Sequence, residues 1–202
     1  MRIISAGPED TEITMIETNR SGLQLSGFYD CFEEKRIQII GNAENAYLQT
    51  LSADAKDHAL EVLISRNVPC IIITNSLSVS DRLAEMGRRG KKWILSTQSS
   101  TSRFIVDITL YLQSELAEKI NLHATLVDVY GVGVLITGES GMGKSETALD
   151  LIRNGHLFIA DDSVIIKKIG PDILMGTSSE LTKNLMEIRG IGIININSLF
   201  GK

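Results

Sequence analysis

One segment restricts the fold of this chain more than any other. Residues 138–145, GESGMGKS, match the phosphate-binding pattern G-x-x-x-x-G-K-[ST] at every fixed position. An apolar run at residues 132–137 precedes the segment, and an amphipathic pattern at residues 146–153 follows it. The segment is therefore predicted to join a buried strand to a helix, as phosphate loops do in α/β nucleotide-binding domains.

The residue types in this loop each have a physical reason. Glycines let successive backbone N–H groups turn toward one anion, and the helix that follows offers its positive N-terminus. Lys144 is expected to reach the β- and γ-phosphates, and the Ser145 hydroxyl is expected to bind Mg²⁺. We therefore predict that the whole loop surrounds the phosphates of a nucleotide, through Gly138, Glu139, Ser140, Gly141, Met142, Gly143, Lys144 and Ser145.

Two carboxylates follow the next apolar run, residues 158–160, about one helix beyond the loop. In phosphoryl transfer, a carboxylate at such a place holds Mg²⁺ through water or accepts the proton of an attacking hydroxyl. Neighbouring side chains on an extended strand point to opposite faces, so we expect only one of Asp161 and Asp162 to face the phosphates. The alternative is a pair of solvated turn aspartates.

Residues 187–196, EIRGIGIINI, have an unusual composition for a regular element. Gly190 and Gly192 flank Ile191, and the charged pair Glu187 and Arg189 precedes them. Glycines permit a backbone bend close to a ligand. Taken alone, the segment favours a bulged strand.

The first part of the chain alternates two kinds of apolar pattern. Runs typical of buried strands alternate with helical patterns, with strands at residues 37–40, 70–73 and 93–95 and helices at residues 53–65, 80–86 and 101–119. This order predicts a small parallel sheet with covering helices. We place the domain boundary near Ile120, so that an N-terminal α/β domain spans residues 1–120 and a phosphate-loop domain spans residues 121–202. Between the boundary and the loop, the turn candidate Tyr130-Gly131 predicts a hairpin over residues 123–137.

Composition excludes several classes of protein. The formal net charge of -5 argues against a nucleic-acid binder, because phosphate backbones are bound by clustered Lys and Arg. The two cysteines, Cys31 and Cys70, form no CxxC pair, so neither a disulfide framework nor a zinc site is indicated. No apolar run approaches the roughly 20 residues of a membrane span, and the first residues lack a signal peptide. We therefore expect a cytoplasmic protein that has a protein or small-molecule partner.

Together these motifs resemble the bifunctional HPr kinase/phosphorylase family of bacterial carbon regulation. The likeness rests on GESGMGKSETALDLI from residue 138, ADDSV from residue 160 and MEIRGIGIINI from residue 186. A weaker likeness covers residues 19–27, NRSGLQLSG, where Ser21 stands in place of the family's usual proline. The resemblance implies an N-terminal α/β domain followed by a phosphate-loop domain of the HPr kinase and phosphoenolpyruvate-carboxykinase-like type.

The resemblance also implies roles for residues that match the family's motifs. Asp162 matches the aspartate that accepts the proton of the HPr serine, and His123 matches an active-site histidine. Lys144 keeps its phosphate role as a catalytic residue. Glu187 matches a Mg²⁺ ligand that acts beside Ser145, at the start of a segment used in both directions of the reaction.

The family's activity is the phosphorylation of a serine on the phosphocarrier protein HPr, with ATP or pyrophosphate as donor and Mg²⁺ as cofactor. Its reverse is the phosphorolysis of phosphoserine-HPr, which gives pyrophosphate. The resemblance implies both reactions here, and a hexameric assembly. Family members continue beyond the equivalent of Lys202 through a further arginine, a loop needed for dephosphorylation and C-terminal helices. A truncated member that binds nucleotide but has little activity toward HPr is therefore expected.

Two alternatives from other classes stay open. A small-molecule kinase or a phosphoenolpyruvate-carboxykinase-like enzyme shares the loop and the acidic strand end. A nucleotide-binding regulatory fragment without turnover shares the loop alone. The preferred donor also stays open.

Overall fold

A computed structural model of the chain describes residues 1–201. The chain divides into two compact units, Met1–Leu116 and Ala117–Lys202. In unit 1 the elements are β1 (Arg2–Ser5), β2 (Thr18–Arg20), α1 (Gly22–Leu25), β3 (Ile37–Ile40), α2 (Asn42–Thr50), α3 (Ala53–Ser65), β4 (Cys70–Ile73), α4 (Asp81–Arg89), β5 (Trp93–Ser96) and α5 (Thr101–Glu115).

The sheet of unit 1 has five strands in the order β1-β5-β4-β3-β2. Strands β2 to β5 are parallel, and β1 joins the edge antiparallel to β5. Alternate residues of β4 enter different cores, because Ile71 and Ile73 pack with α2, α3 and α4 while Cys70 and Ile72 pack with α5. Burial on both faces explains why the central strands are continuous apolar runs. The predicted α/β class and parallel sheet are confirmed.

The last helix of unit 1 is shorter than its sequence pattern. Helix α5 ends at Glu115, whereas periodicity predicts a helix to Lys119. Lys119 instead begins a strand, β6 (Lys119–Leu122), which pairs with Val164–Lys168 through long-range backbone hydrogen bonds. The prediction was wrong because helical spacing contains no information about a partner strand some 45 residues away.

Polar side chains of the segment 19–27 take part in a partly buried hydrogen-bond network of unit 1. The Asn19 side-chain amide donates to Gln24 Oε1 at 2.9 Å and to Gln38 Oε1 at 2.7 Å. These bonds join β2, α1 and β3. A buried polar group without a partner costs about 1–3 kcal/mol, so this satisfied network specifies the position of β2 at the sheet edge.

Glu44, in the first turn of α2, is a buried carboxylate with two kinds of donor. It accepts two hydrogen bonds of 3.0 Å from the Arg20 guanidinium and one of 2.9 Å from the Gly41 N–H. Burial by itself raises the pKa of Glu44, but the hydrogen bonds from Arg20 and Gly41 outweigh burial and leave the pKa below its ordinary value. The ionised form is therefore the one that stabilises this part of unit 1.

Unit 2 is built from small antiparallel sheets and one central helix. After β6 its elements are β7 (Thr125–Val129), β8 (Val132–Ile136), α6 (Lys144–Arg153), β9 (Leu157–Ala160), β10 (Val164–Lys168), β11 (Leu174–Thr177), β12 (Leu185–Ile188), β13 (Gly192–Asn195) and α7 (Ile196–Phe200). The sheets have the orders β8-β7-β9, β11-β10-β6 and β12-β13. The predicted hairpin before the loop is confirmed as β7–β8, with Tyr130-Gly131 at its turn.

Helix α6 follows the phosphate loop directly and anchors it to the core of unit 2. Lys144, Ala148 and Ile152 form a buried stripe at helical spacing, and the apolar ones pack against Val127 of β7 and Met186 of β12. Residues 187–196 are not the bulged strand that their composition favours. They form most of the β12–β13 hairpin, whose turn uses Gly190 at φ 82°. The two glycines indicated a bend in the backbone. The antiparallel pairing of β12 with β13 shows that the chain reverses its direction there.

No helix within residues 1–201 combines the length and the apolar character needed to cross a bilayer.

We predict that Glu44→Gln destabilises unit 1 by about 1–3 kcal/mol at pH 7, because Gln cannot accept all three hydrogen bonds. The folded-state pKa is lowered, so the stabilisation is present above the unfolded-state pKa of about 4.3 and is lost as pH falls through the folded pKa. The difference between wild type and variant should therefore shrink below about pH 4. Trp93, the single tryptophan, lies in β5 and reports the urea unfolding of this unit by fluorescence.

The matched control is Asp107→Asn, which breaks an exposed ion pair with Arg103 on α5. Exposed pairs contribute about 0–1 kcal/mol, so this variant should unfold nearly as wild type does. Equal midpoints for Glu44→Gln and wild type at pH 7 would contradict the prediction.

Candidate functional site

The phosphate loop follows β8, which ends at Ile136, and its last two residues, Lys144 and Ser145, are the first two residues of α6. Gly141 and Gly143 have φ values of 84° and 90°, a conformation that side chains other than glycine adopt only with strain. The Lys144 ammonium donates to the Gly138 carbonyl at 3.0 Å and to the Glu139 carbonyl at 3.2 Å. The lysine thus braces the loop.

Asp161 lies beneath the loop and is 4% exposed. Its carboxylate accepts hydrogen bonds from Thr125 Oγ1 at 2.6 Å, from Ser145 Oγ at 3.1 and 3.2 Å and from the Glu187 N–H at 3.1 Å. The Ser145 hydroxyl donates its hydrogen to this carboxylate. The lone pairs of the Ser145 oxygen therefore remain free to bind a cation. Asp161 therefore orients the serine that the loop pattern predicts as a metal ligand.

Asp162 is not on a strand, so strand alternation, the reason for expecting only one of the two aspartates to face the phosphates, does not explain why Asp162 alone of the pair lines the cavity. Strand β9 ends at Ala160, and Asp162 has φ 59° in a tight turn closed by the Ser163 N–H on the Asp161 carbonyl at 2.7 Å. Strand alternation does not apply across such a turn. Asp161 supports the loop from below, and Asp162 presents a carboxylate that is about half exposed to the cavity.

His123 lies in the bend between β6 and β7, next to Asp162. Its Nδ1 is 3.0 Å from the Asp162 backbone carbonyl and 4.0 Å from the Asp162 carboxylate. Because a carbonyl can only accept, an N–H on Nδ1 donates to it. His123 therefore holds the turn that carries Asp162 and stays within reach of its carboxylate.

Glu187 reaches the same place from β12. Met186 and Ile188 are buried against α6, so strand alternation turns Glu187 to the opposite, exposed face. One cavity of about 280 Å³ brings these groups together, and its lining includes His123, Lys144, Ser145, Asp162 and Glu187. Of the remaining loop residues, Ser140, Gly141 and Gly143 also line the cavity. Gly138 and Glu139 contribute the carbonyls that accept from Lys144, and Met142 is exposed. Two larger cavities are lined by unit 1 alone and lack these loop amides.

The donor set at this cavity suits Mg²⁺. Within residues 1–201, no three His, Cys, Asp or Glu side chains are grouped as an all-protein metal site. Mg²⁺ usually keeps several waters and takes one or two protein ligands plus substrate phosphates. The Ser145 hydroxyl and the Glu187 carboxylate, on two walls of one cavity, meet that requirement.

Sequence reasoning missed three residues of the site. Asp161 was given no role of its own, although its place directly after an apolar strand signals a carboxylate near the loop serine. Thr125 carries no signal in the sequence, since its contact with Asp161 spans 36 positions. Arg189 was noted only for its charge, and the structure places it in the cavity lining.

Known protein families and relatives match this chain along nearly its whole length. Residues 1–112 match the family model "HPr Serine kinase N terminus", and residues 114–202 match "HPr Serine kinase C-terminal domain". The HPr kinase/phosphorylase of Clostridium perfringens (strain SM101) is 45% identical over 201 residues, which cover 100% of this chain and 65% of that protein. The HPr kinase/phosphorylase of Caldicellulosiruptor bescii is 45% identical over 196 residues, covering 97% of this chain and 63% of that protein.

The solved structure of the Hpr(Ser) kinase/phosphatase from Coxiella burnetii is 39% identical over 41% of this chain and 49% of that chain, with a TM-score of 0.39. The assignment of this chain to a family rests on the family models and on the curated relatives. This chain spans about two thirds of the length of those relatives. Its two matched regions follow each other in the family's order and cover nearly every residue. The chain therefore belongs to the HPr kinase/phosphorylase family.

Proposed function

We propose that this chain transfers a phosphoryl group from ATP or pyrophosphate to a serine of HPr, and that it catalyses the reverse phosphorolysis of phosphoserine-HPr. One observation carries the proposal. The phosphate loop, the Ser145–Asp161 pair and the half-exposed Asp162 carboxylate meet at a single cavity. A nucleotide-binding module without turnover has no need of a second carboxylate at the loop.

The cavity is suited to phosphates more than to a nucleobase. Its lining consists of loop glycines and polar or charged side chains, with no aliphatic side chain. Binding pockets for flat organic groups are lined mainly by apolar and aromatic residues. Recognition through the phosphates alone supports the use of either ATP or pyrophosphate as donor.

Mg²⁺ would be held by Ser145 and Glu187, where it would neutralise part of the donor's phosphate charge. Asp161 would keep the Ser145 oxygen directed at this position through its hydrogen bonds. Lys144, held by the loop carbonyls, presents its remaining N–H to the donor phosphates.

In the forward direction, the Asp162 carboxylate accepts the proton of the HPr serine hydroxyl as the serine oxygen bonds to phosphorus and the donor's bridging oxygen departs. The loop amides and Lys144 stabilise the charge on the transferring group. In reverse, phosphate attacks phosphoserine and the protonated Asp162 returns its proton to the departing serine oxygen. His123 holds Asp162 in position for both directions through its backbone carbonyl.

The test is incubation of the 202-residue chain with purified HPr, MgCl₂ and either ATP or pyrophosphate, followed by intact mass measurement. A slow gain of one phosphoryl group on HPr is expected, in keeping with the low activity toward HPr that the resemblance implies, and phosphate should remove it again. Nucleotide binding without any mass change on HPr would point to a binding module. Label that passes from ATP to a small acid would point to a small-molecule kinase.

We also propose a cytoplasmic location and a hexameric assembly, on the basis of family membership. Light scattering of the purified chain measures the assembly directly.

The first prediction for this site is that Lys144→Ala lowers nucleotide affinity by about 100-fold or more, because it removes both a phosphate contact and the brace of the loop. Unit 2 should stay folded, since α6 keeps Ala148 and Ile152 in the core. Calorimetric titration with Mg-ATP measures the change. Lys168→Ala, at the exposed end of β10, is the matched control and should bind as wild type does.

The second prediction separates the two aspartates. Asp162→Asn keeps the shape but cannot accept a proton, so phosphoryl transfer at saturating nucleotide should fall by roughly 10²-fold with little change in affinity. Asp161→Asn replaces an oxygen acceptor by an N–H₂ group that faces donors, so it should weaken nucleotide binding and destabilise unit 2 by about 1–3 kcal/mol.

Transfer rates, Mg-ATP titrations and hydrogen exchange of the α6 amides distinguish these outcomes. If Asp161→Asn abolishes transfer at saturating nucleotide while Asp162→Asn retains it, the proton acceptor is Asp161 and the assignment is reversed.

A further inference from the structure

Arg189 occupies the turn between β12 and β13 and lines the cavity of the phosphate loop. Its Nη1 lies 3.0 Å from the point that a Cβ on Gly141 would occupy. The guanidinium therefore lies against the middle of the loop. Gly141 permits this approach, because any side chain at that position would crowd the arginine.

Within residues 1–201, the Arg189 side chain has no hydrogen bond or ion pair, whereas most other arginines of the chain do. Carboxylate partners within 4.0 Å are present for Arg20, Arg66, Arg82, Arg89, Arg103 and Arg153. All five N–H donors of Arg189 are thus available at a cavity where an anion is expected.

The charge balance of the cavity shows why a second cation matters. Three carboxylates line it, from Glu146, Asp162 and Glu187, against the two cations Lys144 and Arg189. Lys144 already gives two of its three donors to loop carbonyls. Without Arg189 the lining has three carboxylates against one cation, so Arg189 lowers from two to one the net negative charge that a negatively charged donor meets there.

The position of Arg189 is fixed by the fold. Met186 and Ile188, just before the turn, are buried against α6, and the turn is closed by the Ile191 N–H on the Ile188 carbonyl at 3.0 Å. Helix α6 begins in the phosphate loop itself. The arginine and the loop are therefore held by one packed core, which pre-organises them for a common ligand.

We propose that Arg189 is a phosphate-binding residue of this site, donating to oxygens of the phosphoryl donor beside Lys144. The planar guanidinium suits two adjacent phosphate oxygens, so a lysine cannot replace it fully. This inference rests on the proposed function, since it concerns the same donor.

The test is calorimetric titration of the 202-residue chain with Mg-ATP and, separately, with Mg-pyrophosphate. Arg189→Met keeps the apolar stem and removes the charge, and affinity for both donors should fall about tenfold or more. Arg189→Lys should fall between wild type and Arg189→Met. Arg153→Met, at the far end of α6 some 15 Å from the loop by helix geometry, is the matched control and should bind as wild type does.

The outcomes separate this inference from the proposed function. If wild type binds neither donor, the proposed function fails. If wild type binds and Arg189→Met binds equally tightly, the role of Arg189 is overturned while the site stands. Should Arg189→Met lose its native melting transition, Arg189→Gln is titrated instead, and wild-type affinity in that variant overturns the inference.

Discussion

The site of this protein depends on one buried carboxylate. Asp161 accepts from Thr125 on β7, from Ser145 on α6 and from the backbone of Glu187 on β12. These three donors bring together the strand beside the loop, the helix after it and the hairpin that carries Glu187. A buried carboxylate is stable only when hydrogen-bond donors satisfy its oxygen atoms. Here the donors that satisfy Asp161 come from β7, α6 and β12, so these hydrogen bonds also hold the walls of the cavity together.

The surrounding packing sets the direction of each side chain at the site. Buried neighbours in β12 direct Glu187 outward, and the short turn after β9 separates Asp162 from Asp161. Two adjacent aspartates thereby acquire different environments. One is buried and bonded to the loop serine, and the other is half exposed and lines the cavity. The two side chains are chemically identical, so the difference in their exposure and hydrogen bonding follows from the backbone geometry of the turn.

Unit 1 is stabilised mainly by apolar packing on both faces of its sheet. Its central strands are mainly apolar and buried on both faces, and its edge is specified by the Asn19 network and the Arg20–Glu44 pair. The sequence pattern indicated the central strands and helices because burial on two faces produces continuous apolar runs. It did not indicate β1 or β6, whose short polar-flanked segments gain their structure from partners far along the chain.

Sequence patterns alone were enough to identify the phosphate loop, the strand and helix that flank it, and the resemblance to the family. These are local properties, since glycine freedom, a lysine and a serine at fixed spacing, and apolar periodicity are all contained within short windows. Three features became visible only in the folded chain: Asp161 orients Ser145, Asp162 lies in a turn rather than on a strand, and Arg189 lies against Gly141. Those contacts join residues 16 to 48 positions apart. They follow from the packing of β7, β12 and α6, which no local pattern encodes.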